Sequence, residues 1–275
     1  MRIRIIDAFT DRPFAGNPAA VCLLDTDGWP DEAWMRRVAI EMNLSETAFA
    51  HPLPAGAEAD WALRWLTPTV ETKLCGHATL ATTHALLSDG RLDGAVRYST
   101  LSGVLIATPR DDGTITLDFP TAPLTEAAVP DGLAEALGAK PEAAFSTGAL
   151  GDLLAVLPDE AAVRGLAPDF SAVAAVNRRE GIRGVIVTAP ADDGAGYDFA
   201  SRFFTPNEGI PEDPVTGSAH TALTPYWTAR LGRDELIGRQ VSARSGVVRV
   251  ALRGERVHLT GHAVTIVDGT LLTEP

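Results

Sequence analysis

Polar and apolar positions alternate from the start of the chain. Arg2-Ile3-Arg4-Ile5-Ile6-Asp7-Ala8-Phe9 predicts a strand, and the apolar run Ala19–Leu24 predicts a second after the Gly/Pro-marked turn Arg12–Pro18. After the turn Asp25–Asp31 the period lengthens. Trp34, Met35, Val38 and Ala39 fall on one face of a helix over Glu32–Glu41. Asn43–Ala50 is a loop running into a strand, and Arg64–Leu66 is another strand. The segment Gly76–Leu87 is small and apolar nearly all round, which predicts a helix enclosed by sheet. Strands over Val96–Thr108 and Thr114–Phe119 close this half, and Pro120–Pro130 reads as a linker. The second half predicts a strand at Leu153–Leu157, helices near Asp159–Leu166 and Phe170–Val176, and strands at Gly184–Thr188 and Tyr197–Phe204. A second small-residue helix at Ser218–Leu231 and strands at Gln240–Leu252 and Arg256–Gly261 follow. His262–Thr273 either finishes this half or crosses back to the first.

The two halves repeat one another. Arg64-Trp65-Leu66-Thr67-Pro68 leads to Cys75-Gly76-His77-Ala78-Thr79, and Arg202-Phe203-Phe204-Thr205-Pro206 leads to Thr216-Gly217-Ser218-Ala219-His220. Ser99-Thr100-Leu101-Ser102-Gly103-Val104 recurs as Ser242-Ala243-Arg244-Ser245-Gly246-Val247. Repeats offset by about half the chain imply two structurally similar domains, 1–120 and 121–275. Each is an α+β unit of mostly antiparallel sheet wrapped round one central helix. Two helix N-termini, one per domain, suit a small anion.

Composition narrows the classes of partner. With a net charge of −13, nothing offers the clustered Lys and Arg that nucleic acid or an anionic membrane surface requires. An anionic substrate remains open, because local donors outweigh average charge. No apolar run approaches the roughly 20 residues that span a bilayer, and the N-terminal strand is no signal peptide. The expected location is the cytosol. Cys22 and Cys75 give neither a disulfide framework nor a metal quartet. His51, His258 and His262 do not cluster with carboxylates at ligand spacing, so no metal is expected. There is no dinucleotide fingerprint or phosphate loop. Lys73 and Lys140 are the only lysines, which disfavours Schiff-base chemistry; Lys73, beside the first helix mouth, can attract an anion.

Several residues can carry chemistry. Glu46 lies among Leu44, Ala48 and Phe49, neighbours that raise a carboxyl pKa by desolvation; it is also ordinary turn or cap chemistry. His77 follows the Gly76 that opens the first central helix, where the dipole disfavours imidazolium. It can donate to a carboxylate, share a proton with Glu46 or Asp213, or be an ordinary buried histidine. Asp213 sits in Pro211-Glu212-Asp213-Pro214, which is also plain turn punctuation. Ser218 occupies the place of His77 in the second repeat and can bind substrate or cap the helix. Gly76 and Gly217 let a ligand approach backbone amides, and Asn17 can bind substrate or serve the Gly-Asn-Pro turn. His84, seven residues after His77, reads as a satisfied interior or interface histidine, and His220 is open between cleft and core.

Four motifs in register carry a resemblance. Asp7-Ala8-Phe9-Thr10 with Gly16-Asn17-Pro18, Asn43-Leu44-Ser45-Glu46-Thr47, Gly76-His77-Ala78-Thr79 and Glu212–Ala219 resemble the signatures of the phenazine-biosynthesis isomerase (PhzF-like) family, of diaminopimelate-epimerase fold. The resemblance implies two pseudo-symmetric domains with the active site in the cleft between them, no cofactor, and a homodimer. It implies that Glu46 shuttles a proton between carbons of a cyclic amino-carboxylate, as in isomerisation of a dihydro-hydroxyanthranilate. His77 and Asp213 would tune and relay that proton, while Asn17, Gly76, Gly217 and Ser218 bind substrate. The epimerase branch of the fold places a Cys before the Gly of each repeat. Here the positions hold Cys75 and Thr216, and a hydroxyl cannot replace a thiolate, so two-thiol epimerisation is disfavoured. Two alternatives stay open: a racemase using Glu46 and Cys75, and a binding or scaffold protein that lost turnover.

Overall fold

The computed structural model describes residues 1–273. In chain order the first elements are β1 (Arg2–Ala8), β2 (Asn17–Leu23), α1 (Glu32–Met42), β3 (Glu46–Pro52), β4 (Trp61–Leu66), β5 (Glu71–Thr72), α2 (Gly76–Ser88), β6 (Val96–Thr100), β7 (Gly103–Pro109) and β8 (Ile115–Pro120). Then come β9 (Thr125–Ala127), α3 (Leu133–Leu137), β10 (Ala143–Ser146), β11 (Leu153–Val156), α4 (Glu160–Arg164), α5 (Phe170–Glu180), β12 (Val185–Pro190), β13 (Phe199–Thr205) and β14 (Ile210–Asp213). The chain ends through α6 (Gly217–Leu231), β15 (Glu235–Gln240), β16 (Gly246–Arg253), β17 (Arg256–Gly261) and β18 (Ala263–Thr270). It forms two compact units: Met1–Asp118 with the segment from Thr260 onward, and Phe119–Leu259.

The repeat is written in the strand pairings. In unit 1, β2 lies antiparallel to β1 and parallel to β3, and β3 antiparallel to β4. Strand β4 takes β5 antiparallel and β6 parallel, and β6 pairs antiparallel with β7. In unit 2, β10 through β16 reproduce this series sense for sense. A parallel pair needs a crossover, supplied by α1 between β2 and β3 and by α4–α5 between β11 and β12. The outer edge of each unit is covered alike, β18 lying antiparallel on β1 and β9 on β10.

The all-round apolar helix does lie inside sheet. Helix α2 buries Gly76 through Thr83 with Ala85 and Leu86, packed against β1, β2, β3, β7 and β18. Helix α6 buries Ala219 through Thr224 and packs on β15 and β16. One-faced helices cover the outside: Trp34, Met35 and Val38 of α1 close over Ile3, Cys22 and Phe49. In unit 2, Leu133, Val163, Val173 and Val176 close over Leu153, Ala155, Val185 and Val187. A side chain of this kind contributes about 1.5–3 kcal/mol when fully buried.

Two segments that alternate as single long strands are hairpins instead. Val96–Thr108 breaks at Leu101-Ser102, where Thr100 Oγ1 accepts the Ser102 amide (3.1 Å) and Gly103 takes φ 88°. Gln240–Leu252 breaks where Ser242 Oγ accepts the Ser245 amide (3.0 Å) and Ser245 takes φ 56°. Hydroxyl turn chemistry overrides alternation at the same place in both units. The segment Pro120–Pro130, expected as linker, contains strand β9. Short β5, β10 and β14 and helix α3 carry too few residues for a periodic signal.

Candidate active site

The strand before each central helix ends in the same clip. Arg64 of β4 donates Nε and Nη2 to Glu71 of β5 (2.7 and 2.6 Å), and Arg202 of β13 donates the same pair to Glu212 of β14 (both 2.8 Å). Bidentate pairs fix geometry as well as energy. Each clip delivers the chain in extended conformation to the helix: Cys75 at φ −141° and Thr216 at φ −110° stand before α2 and α6, and neither side chain caps its helix. The first amides of both helices are therefore not satisfied by a side-chain cap. Gly76 and Gly217 open the two helices.

At the mouth of α2 the parallel β2–β3 register sets Ala19 beside Glu46, so the starts of both strands converge there. They bring Asn17, Ser45 and Glu46 round His77, the second residue of α2. Glu46 Oε2 lies 3.3 Å from His77 Nε2, with side-chain exposures of 13% and 5% respectively. Asn17 Nδ2 is 3.2 Å from His77 Nδ1, and Ser45 Oγ is 3.3 Å from both Asn17 Oδ1 and His77 Nε2. Burial pushes the His77 pKa well down, and the helix N-terminus acts in the same direction. The ring is neutral and carries one N–H.

One assignment links Ser45, Asn17, His77 and Glu46 in a single chain of donors and acceptors. Ser45 donates to Asn17 Oδ1, Asn17 donates to His77 Nδ1, and His77 Nε2–H donates to Glu46. In this arrangement Asn17 sets the tautomer of His77. Ser45 was not singled out in the sequence. Cys75 Sγ lies 3.5 Å from the same Nδ1, so the thiol is a histidine neighbour rather than inert filling.

Glu46, Cys75 and His77 place donor atoms within 4.8 Å of one another, a spacing compatible with a metal ion.

At the mouth of α6 the chemistry differs. Asp213, opposite Phe203 in the β13–β14 pairing, accepts the Thr216 hydroxyl proton on Oδ2. Gln240, fully buried at the end of β15, brackets this turn. Its Nε2 donates to Asp213 O (2.6 Å) and Thr216 Oγ1 (3.2 Å), and its Oε1 accepts the Thr216 amide (2.8 Å). Ser218 is no cap. It is the second residue of α6, and its hydroxyl accepts from Arg183 Nη2 (3.1 Å). His220 is core: wholly buried beside Phe199, it holds Thr216 O through Nδ1 (2.8 Å). His84 meets Thr265 Oγ1 through Nε2 (3.1 Å).

With two topologically repeated α+β units and a carboxylate–histidine pair at the mouth of one central helix, the chain belongs to the phenazine biosynthesis-like protein family (PhzC-PhzF), which it matches over residues 6–269. It is 46% identical to an uncharacterized isomerase of Pseudomonas aeruginosa over 97% of this chain and 96% of that one. A crystal structure of a PhzF-family phenazine biosynthesis protein from Enterococcus faecalis superposes with a TM-score of 0.87 at 40% identity, covering 98% of this chain and 97% of that one. A hydroxyproline epimerase from Agrobacterium vitis shares the fold alone, at TM-score 0.63 and 15% identity over 98% and 91% of the two chains. Among the described residues no helix is long and apolar enough to cross a membrane.

Proposed function

We propose that this chain is a cofactor-independent isomerase that moves a proton between two carbons of a small amino- or hydroxy-carboxylate. The Glu46–His77 pair carries the reading. A carboxylate beside a cationic histidine is held ionised and is a weak base. Beside a neutral one it can cycle between base and acid. Glu46 takes a proton as the substrate C–H bond breaks, the bonding pair entering the adjoining π system. Glu46 O–H then returns the proton to a second carbon, with no net oxidation. His77 Nε2–H steadies whichever carboxyl oxygen is unprotonated, and Asn17 keeps that N–H in place. Asp213 and Ser218 are assigned as the unit 2 groups that touch substrate, with the amides after Gly76 and Gly217 as further donors.

The test is mass spectrometry in heavy water. Native protein and Glu46→Gln are each incubated with cyclic and linear amino-carboxylates, a dihydro-hydroxyanthranilate included. Deuterium entering a compound with native protein but not with the variant supports the reading; equal uptake by both removes Glu46 from the mechanism.

The Cys75–His77 contact favours a second reading, racemisation by Glu46 and Cys75 as opposed bases, in which Nδ1 accepts the thiol proton in place of the Asn17 hydrogen bond. Cys75→Ala separates the two: it abolishes exchange in a racemase and spares it in the isomerase. A binding protein without turnover shows no uptake with any compound while retaining ligand-induced stabilisation.

A further inference from the structure

Unit 2 repeats the frame of the Glu46–His77 centre with different chemistry. In unit 1 the start of β2 and the entry to β3 present Asn17 and Ser45–Glu46 to the second residue of the central helix, His77. In unit 2 the entries to β11 and β12 pair Asp152 with Arg183, and Arg183 reaches Ser218. Asp152 accepts Arg183 Nε and Nη2 (2.9 and 2.6 Å) with its side chain wholly buried. The guanidinium lies over the Phe203 ring, 5.2 Å from its centroid, with a third of the side chain exposed. The Arg183 backbone is pinned by its amide on Gly151 O (2.7 Å) and by Thr205 Oγ1 on its carbonyl (3.2 Å).

Arginine only donates. With Arg183 Nη2 occupying a lone pair of Ser218 Oγ, the serine proton must point elsewhere, and among the described residues no acceptor takes it. A donor fixed in direction and polarised by a cation is made for an anionic acceptor. We propose that the Asp152–Arg183 pair is a positioning device that turns the Ser218 hydroxyl into the donor for a ligand carboxylate. This rests on the carboxylate-substrate reading above and assigns two residues that reading lacks. Asp213 and Glu208 lie within electrostatic reach of Arg183, so the corner is no general anion trap. Binding depends on the directed hydroxyl rather than on net positive charge.

Titration calorimetry with two probe pairs tests this: 2-aminobenzoate against 2-aminobenzamide, and L-proline against L-prolinamide. Ser218→Ala weakens a bound carboxylate about tenfold to a hundredfold, the range for a hydrogen bond to a charged group, and changes the amide less than about twofold. Arg183→Gln strands a buried carboxylate and can unfold the unit. The paired change Asp152→Leu with Arg183→Met is therefore used instead. It produces the same selective loss in the native background and no further loss in the Ser218→Ala background. Equal losses for carboxylate and amide, or full additivity of the two changes, overturn the proposal. So does failure of both carboxylates to bind native protein. Glu46→Gln keeps the carboxylate preference, so a failed exchange experiment and a failed Ser218 donor are told apart.

Discussion

His220 makes a measurable demand on the pH dependence of folding. It is wholly buried, with Nδ1 on Thr216 O and Nε2 without a hydrogen-bond partner against Phe199. Desolvation pushes its pKa down to about 4. An unfolded chain takes up a proton at that residue near pH 6.5, whereas the folded one refuses it until about pH 4. Stability is therefore complete above pH 6.5 and falls as pH drops, by about 1.4 kcal/mol per unit. Between pH 7 and 5 the loss from this residue alone is about 2 kcal/mol, a large part of the about 5–15 kcal/mol that holds a domain folded. Unit 1 supplies the control: in the equivalent place Thr79 Oγ1 donates to Cys75 O (2.6 Å). His220→Thr keeps that bond and removes the titration, leaving a void beside Phe199 that costs on the order of 1–3 kcal/mol at neutral pH. Urea unfolding at pH 7.5, 6 and 5 shows the variant weaker at the first and nearly equal to native at the last. His77 and His84 titrate in both proteins and drop out of the comparison. A variant whose stability falls with pH as steeply as native refutes the argument.

Three other outcomes are expected. Nitrogen-15 NMR at pH 7 shows His77 protonated on Nε2 and bare on Nδ1; an Nδ1–H tautomer would contradict the Asn17 assignment. Gln240→Leu leaves the Thr216 amide and the Asp213 carbonyl without their partner and costs about 3 kcal/mol in urea unfolding, and a loss below about 1 kcal/mol would show that water replaces the bracket. Gly238→Ala places a Cβ 2.5 Å from the Phe199 ring and costs about 1–3 kcal/mol, whereas Gly269→Ala, with nothing within 4 Å, changes stability by less than about 0.5 kcal/mol; equal effects at the two glycines would refute the steric account.

The duplication was legible because its signal is local. A strand, a Pro-stopped turn and a Gly-opened helix occupy about fifteen contiguous residues, and Arg64 and Arg202 head both copies. Their partners were not: Glu71 lies in a strand of two residues, and Glu212 in a stretch that reads as a Pro-marked turn. Glu46, His77 and Asn17 stood out as individual residues, yet their contact joins positions up to 60 apart through the β2–β3 register, which alternation cannot reveal. Gln240, Asp152 and Arg183 carry no motif at all. A buried glutamine ending a strand looks like any polar strand end until the turn it brackets is folded against it.

Strand β18 returns from the far end of the chain to lie along the whole of β1, Arg2 opposite Thr270 and Ala8 opposite Ala263. Unit 2 is contiguous in sequence, whereas unit 1 closes only with this last strand. During synthesis unit 2 can fold while β1 still waits with an open edge of unpaired amides and carbonyls. Because β1 pairs with β2 on one side and β18 on the other, that edge is exposed for the time it takes to make unit 2. At about 5–20 residues per second this is roughly seven to thirty seconds, the interval in which a nascent chain of this protein is most open to pairing with another strand.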